Sequence, residues 1–175
     1  MPRGKSIALC ALLALPLAAG DYDWKANQIK HWKSSYQFTY TVADAMPPSG
    51  YSYIPPSTVK PVERPYAGEV AHIGFFNTAM IALVTGVKAP DRLGHDITDK
   101  AAVMKYLHDS EGFFMKGLES VTDEQLKKTV KVGGVEMSGY EAIEGAFAHM
   151  AHTRGQCEVY LRLQNILPPK YPFED

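Results

Sequence analysis

The chain has 175 residues, 46% hydrophobic and 21% charged, with a formal charge of −1 at pH 7. That is enough chain for one domain with a real core, and an ordinary balance for a soluble fold. No basic excess exists to attract a phosphate backbone, which argues against a nucleic-acid partner.

Residues 1–20 read as a secretory leader. Arg3 and Lys5 precede the apolar run IALCALLALPLA, and Ala18-Ala19-Gly20 places small residues at the −3 and −1 positions of a cleavage point before Asp21. The run is short for a membrane span. Cys10 lies inside it behind bulky Leu9, which disfavours a lipid anchor. The expectation is export of a single domain, 21–175, with no stable membrane span after processing. Residues 1–20 hold two basic side chains and no acidic one, so the remainder has 16 basic against 19 acidic residues, a balance of −3. Cys157 is then the one cysteine left, no internal disulfide forms, and the core must supply the stability. On a buried face, Cys157 is expected to be inert.

Asp23 opens the first predicted helix, with Trp24, Ile29, Trp32, Tyr36, Tyr40 and Ala43 at helical spacings. Met46-Pro47-Pro48 ends it. His31 is read as a surface or interface histidine, and the aromatic crowding around it is compatible with a homodimer. Residues 47–65, PPSGYSYIPPSTVKPVERP, form a connector long enough to cross the end of a bundle. Tyr51, Tyr53 and Ile54 are its expected anchors.

The second helix is predicted from Pro65, in its first turn, to just before Gly86. His72, Phe75, Phe76, Ala79 and Leu83 share one face, and almost every other position is apolar too. The helix should be largely buried, leaving His72 nowhere wet to point. Residues 87–97 form a loop in which His95 is solvated. Thr98 is expected to cap a third helix over 99–120, packed through Ala102, Val103, Tyr106, Leu107, Phe113, Phe114 and Leu118. Helical phase leaves the direction of His108 open. A short helix or turn follows over 122–126, and TVKVGGVEM alternates about Gly133-Gly134 as a hairpin does.

The last helix is the most informative stretch. Ser138 followed by Glu141 is a capping box, Asn165 suits a left-handed stop, and Pro168-Pro169 forbid continuation. From 140 to 164 it would run roughly 37 Å at about 1.5 Å per residue. At about 100° per residue, Glu144, Arg154, Glu158 and Arg162 fall opposite His149 on the expected wet face. Ala146, Met150, Cys157, Val159, Tyr160, Leu161 and Leu163 spread over the near side. His152, Thr153 and Gln156 lie within about 60° of His149, in the middle of that apolar arc. Buried polar groups need partners, so four on one stripe mark either a site or a hydrogen-bond network fixing the bundle. The fold class expected is an all-α four-helix bundle, with a long crossover after the first helix and a small β-hairpin before the last.

GEVAHIGFFNTAM around His72 and AHMAHTRGQCEVYLRLQNILPP, an HxxHxRGQxxxYLR motif followed by two prolines, together resemble the DinB/YfiT-like superfamily of bundle metalloenzymes. The likeness spans most of 21–175, including the opening tryptophan helix and the YSYIPP connector. The resemblance implies a metal held by one histidine of the second helix and two of the last, spaced i and i+4. His72 and His149 match the first two ligands. Thr153 stands where the third histidine is usual, and His152 matches an accessory histidine. A threonine hydroxyl is a far weaker ligand than imidazole. Three arrangements stay open: His72, His149 and His152 in altered geometry; two histidines completed by water, Thr153 or His108; or a metal-free site. Gln156 is the candidate for orienting a ligand histidine. Gly155 would allow close helix approach.

The resemblance therefore implies a secreted metal-dependent enzyme, with transferase or hydrolase chemistry on a small molecule at zinc, nickel, manganese or iron. The competing expectation is a non-catalytic ligand-binding or structural bundle with a degenerate metal site. Glu69 and Glu111 are the nearest acidic residues on the two middle helices, and neither is well placed as a general base.

Overall fold

The computed structural model describes residues 22–58 and 64–171. The leader expected over 1–20 lies outside them, as does part of the connector. Among the described residues the order is α1 (Trp24–Ala45), a 3₁₀ turn (Pro48–Gly50), α2 (Tyr66–Thr85), α3 (Lys100–Ser120), α4 (Asp123–Lys127), β1 (Thr129–Val132), β2 (Val135–Ser138) and α5 (Gly139–Leu163).

Local chemistry sets the ends. Asp23 caps α1 by accepting from the Ala26 amide at 2.9 Å. Asp99, rather than the expected Thr98, caps α3, accepting from Ala102 N at 2.8 Å. Its carboxylate sits three residues before that orphan amide, the span an N-cap side chain covers. Pro65 stands one position earlier than expected, at the N-cap of α2. Gly86 ends α2 at φ 76°. Gly133 and Gly134 turn the antiparallel hairpin at φ 56° and 90°, a left-handed pair that suits a tight hairpin loop. Ser138 and Glu141 form the predicted capping box, and Asn165 is left-handed at φ 57°.

The long helices make a four-helix bundle. α1 packs on α3 and α5, and α2 packs on the same two, so α1 and α2 lie on a diagonal. The long connector makes that crossing possible. Tyrosines in it and at the start of α2 tie it down: Tyr51 donates its hydroxyl to Ala43 O at 2.9 Å, and Tyr66 donates to Val42 O at 2.8 Å. The Tyr66 and Ala67 amides in turn donate to the Tyr53 and Tyr51 carbonyls. Ile54 is not an anchor, being 44% exposed.

The core is aromatic at its centre. Trp32 meets Phe114 at 4.0 Å between ring centroids and Phe147 at 5.2 Å. Asn77, fully buried, donates across the diagonal to the Tyr36 hydroxyl at 2.9 Å. Such a buried bond favours one register between the two helices. α2 buries Tyr66, Ala67, Val70, Ile73, Asn77 and Ile81 almost completely. The face expected to carry His72 inward is only half-buried, and Leu83 on it is 40% exposed. With apolar residues nearly all round α2, periodicity alone does not say which arc faces the centre.

Candidate functional site

α2 and α5 bring two histidines together. His72 and His149 stand edge to face, their ring centroids 4.9 Å apart at 71°. The Nδ1 atoms of both are buried without a hydrogen-bond partner. Phe76, one turn beyond His72, stacks on His149 at 3.7 Å and 15°. Phe75 lies beside His72, with ring centroids 6.3 Å apart. The aromatic wall excludes water from one side of both imidazoles.

Burial, more than any other cause, holds both imidazoles in the neutral form. It pushes His72 down to about 4, assisted by Arg64, His149 and Arg92. His149 is lowered by burial first, then by His152 and Arg64. Neutral imidazoles with unpaired nitrogens are good acceptors for a proton, a hydrogen-bond donor or a metal ion.

The surroundings are partly cationic. Arg64 pairs with buried Glu69 at 3.1 Å, and its carbonyl accepts from the Tyr160 hydroxyl at 3.0 Å. Arg92, in the 87–97 loop, lies over the Phe75 ring at 4.6 Å. Sequence periodicity had no means of finding Arg92, because the loop carries no period. Arg64 had a weak signal in its place just before the second helix, within reach of Glu69.

The other expected site residues separate. Thr153 is buried, 1% exposed, while His152 is exposed. His152 therefore sits outside the buried stripe assigned to it, since neighbouring positions on a helix differ by about 100°. Among the described residues no three His, Cys, Asp or Glu side chains gather closely enough to hold a metal ion. Gln156 is half-buried. His108 faces outward, stacked on Tyr40 at 4.0 Å, and Tyr40 donates its hydroxyl to Glu111. His31 and His95 are exposed, as expected. Cys157 is buried, and burial raises its thiol pKa far above the usual range, so it stays protonated and unreactive.

Two further expectations on α5 need correcting. Arg154 is not on a wet face; it is 7% exposed because α1 covers that side of the helix. Gly155 does not serve close approach: a Cβ built there would have nothing within 4 Å.

Solved structures of similar shape are known. A DinB-like protein from Bacillus subtilis, YjoA, matches with TM-score 0.64 and 18% identity, over 83% of this chain and 96% of its own. A DinB-like protein from Bacillus cereus matches with TM-score 0.66 and 19% identity over the same shares. The chain has the DinB-like fold. No family profile matches the sequence, and no curated protein matches it either. Within the DinB-like bundle, the His72–His149 pair bridges the second and last long helices.

Proposed function

We propose that this DinB-like bundle is a metal-dependent enzyme whose divalent ion is held by His72 and His149. The single observation supporting the reading is the pair of neighbouring neutral imidazoles, each with a buried Nδ1 that bonds to nothing. The donor set fits two strong nitrogen ligands, with remaining positions open to water or substrate, rather than a three-histidine site. When bound there, a zinc, nickel, manganese or iron ion supplies Lewis-acid polarisation or an activated water. The residues themselves orient and dry the site. Phe76 holds the His149 ring by stacking, and Arg64 and Arg92 bias the site against protonating His72. Transfer or hydrolysis of a small substrate is the chemistry this arrangement favours. The leader-like residues 1–20 support export of the remainder.

A non-catalytic reading has its own observation: Thr153 fills the usual third position and His152 points outward. The bundle would then keep the histidine pair as a ligand-binding or structural remnant. Untagged protein, analysed for metal by mass spectrometry before and after reconstitution with zinc, nickel, manganese and iron, separates the two. Near-equimolar metal that is lost in His149→Ala supports the enzyme reading. No retained metal under any loading overturns it in favour of the second.

A further inference from the structure

On the far side of α5 from His149, α1 and α5 line a half-open cavity of about 270 Å³. Its walls include Ser34, Ser35, Phe38, Phe147, Ala151 and Arg154, with the Tyr171 ring packed on Phe38 at 5.1 Å and 5.9 Å from the Arg154 guanidinium. That volume is near the lower end of small-molecule sites, roughly 300–1,000 Å³. Apolar walls with a few convergent polar groups are also what such sites have.

Arg154 decides the chemistry of this cavity. Its Nη1 donates to Ser35 Oγ at 2.9 Å, and to Ser35 O and Thr39 Oγ1 at 3.3 Å each. All three acceptors are neutral. Among the described residues no carboxylate pairs with Arg154; the ion pairs there are Arg64–Glu69, Lys100–Asp44 and Lys105–Asp109. Phe38 beneath the guanidinium, at 4.8 Å, offsets part of the burial cost. The Glu158 carboxylate, one turn further along α5, offsets another part, yet burial outweighs both and lowers the Arg154 pKa. A guanidinium has five N–H donors in a planar fork, and among the described residues the Arg154 hydrogen bonds run from Nη1.

We propose that this cavity binds a small carboxylate with an apolar body. The carboxylate is received by Arg154, whose fork matches it in a bidentate manner, and by the adjacent serine hydroxyls. The apolar body lies between Phe38 and Phe147. The site is independent of the histidine pair, because Phe147, Ala151 and Arg154 lie roughly opposite His149 around the helix.

The test uses benzoate and its neutral analogue benzamide, with binding followed by amide chemical shifts. Benzoate is expected to move the Ser34, Ser35 and Ala151 amides saturably, and benzamide to leave them in place. Arg154→Gln should weaken benzoate at least tenfold. Should that variant fail to fold, Ala151→Leu fills the cavity without touching the Arg154 hydrogen bonds and should block binding equally. Equal responses to benzoate and benzamide, or no saturable response to benzoate, overturn the proposal. Binding seen only in a chain ending at Tyr171 would mean that the cavity serves the chain's own terminus, and would overturn it too.

Discussion

Thr153 lies one helical turn after His149 on α5 and is buried at 1% exposure, although it carries no ligand-quality donor. Replacing it by histidine should supply a third imidazole on the side of α5 that faces α2. Thr153→His is expected to raise zinc affinity by at least about tenfold, since imidazole is a far better ligand than a neutral hydroxyl. Overpacking at this buried position is expected to cost about 1–3 kcal/mol of stability. His152→Ala should leave affinity within a factor of two, because that ring is exposed. Competition against a chromophoric chelator measures both. A loss of affinity in His152→Ala, with none gained in Thr153→His, would place the third ligand on the outer side instead.

The acid stability of the metal-free protein should report on His72. Burial, with help from Arg64, His149 and Arg92, holds its pKa at about 4, against about 6.5 in an unfolded chain. Between those values the unfolded state binds a proton that the folded state refuses, so stability falls as pH falls. The contribution is complete above about pH 6.5 and is lost as pH drops through about 4. His149 is shifted the same way and adds to the slope. Urea midpoints taken from pH 7.5 down to 4.5 should fall more steeply for the wild type than for His72→Gln, and least for the double His72→Gln/His149→Gln variant. Parallel curves for all three would show that neither imidazole is desolvated.

The sequence carried the bundle well because each end has a chemical marker. Asp23, Gly86, the Gly133-Gly134 pair, Ser138 with Glu141, and Asn165 all act within a few residues of where they stand. The pairing of His72 with His149 was implied by the resemblance of the GEVAHIGFFNTAM and HxxHxRGQ segments to the DinB/YfiT-like superfamily, and the apolar setting of each was readable from the residues. The failures came where helical phase had to predict a neighbour. Arg154 looked wet because Glu144 and Arg162 share its side, yet α1 crosses α5 at its level and covers it. His152 looked buried because it lies about 60° from His149, yet that angle carries it past the edge of the covered arc, and it is exposed. Arg92 reaches Phe75 from a loop, where no period exists to read.

The Tyr36–Asn77 hydrogen bond links two diagonal helices through the centre of the bundle. Asn77 is fully buried, and its Nδ2 also reaches Met150 Sδ at 3.5 Å. Tyr36→Phe removes the stronger acceptor and should cost about 1–3 kcal/mol, the penalty for a buried polar group left poorly paired. Asn77→Leu in that background should recover part of the loss, because no orphaned amide remains. The double variant is therefore expected to be more stable than Tyr36→Phe alone. Urea unfolding of the four proteins in this cycle measures the coupling. Strictly additive effects would show that the bond carries no net energy.

Two glycines of α5 should respond in opposite directions to the same substitution. A Cβ on Gly139 would stand 2.7 Å from Gln125 O and 2.9 Å from Leu126 Cα, both backbone atoms of α4. No side-chain rotation relieves that overlap, so α4 or the start of α5 must shift. Gly139→Ala is expected to destabilise by about 1–3 kcal/mol, the usual range for overpacking. A Cβ on Gly155 would meet nothing within 4 Å. Gly155 lies inside α5, where alanine is favoured over glycine by about 0.8–1.0 kcal/mol. Part of that gain comes from restricting the unfolded chain. Gly155→Ala should therefore raise the urea midpoint while Gly139→Ala lowers it. A destabilised Gly155→Ala would mean that another surface closes on α5 at this position in solution, and a second copy of the chain would then be sought there by sedimentation.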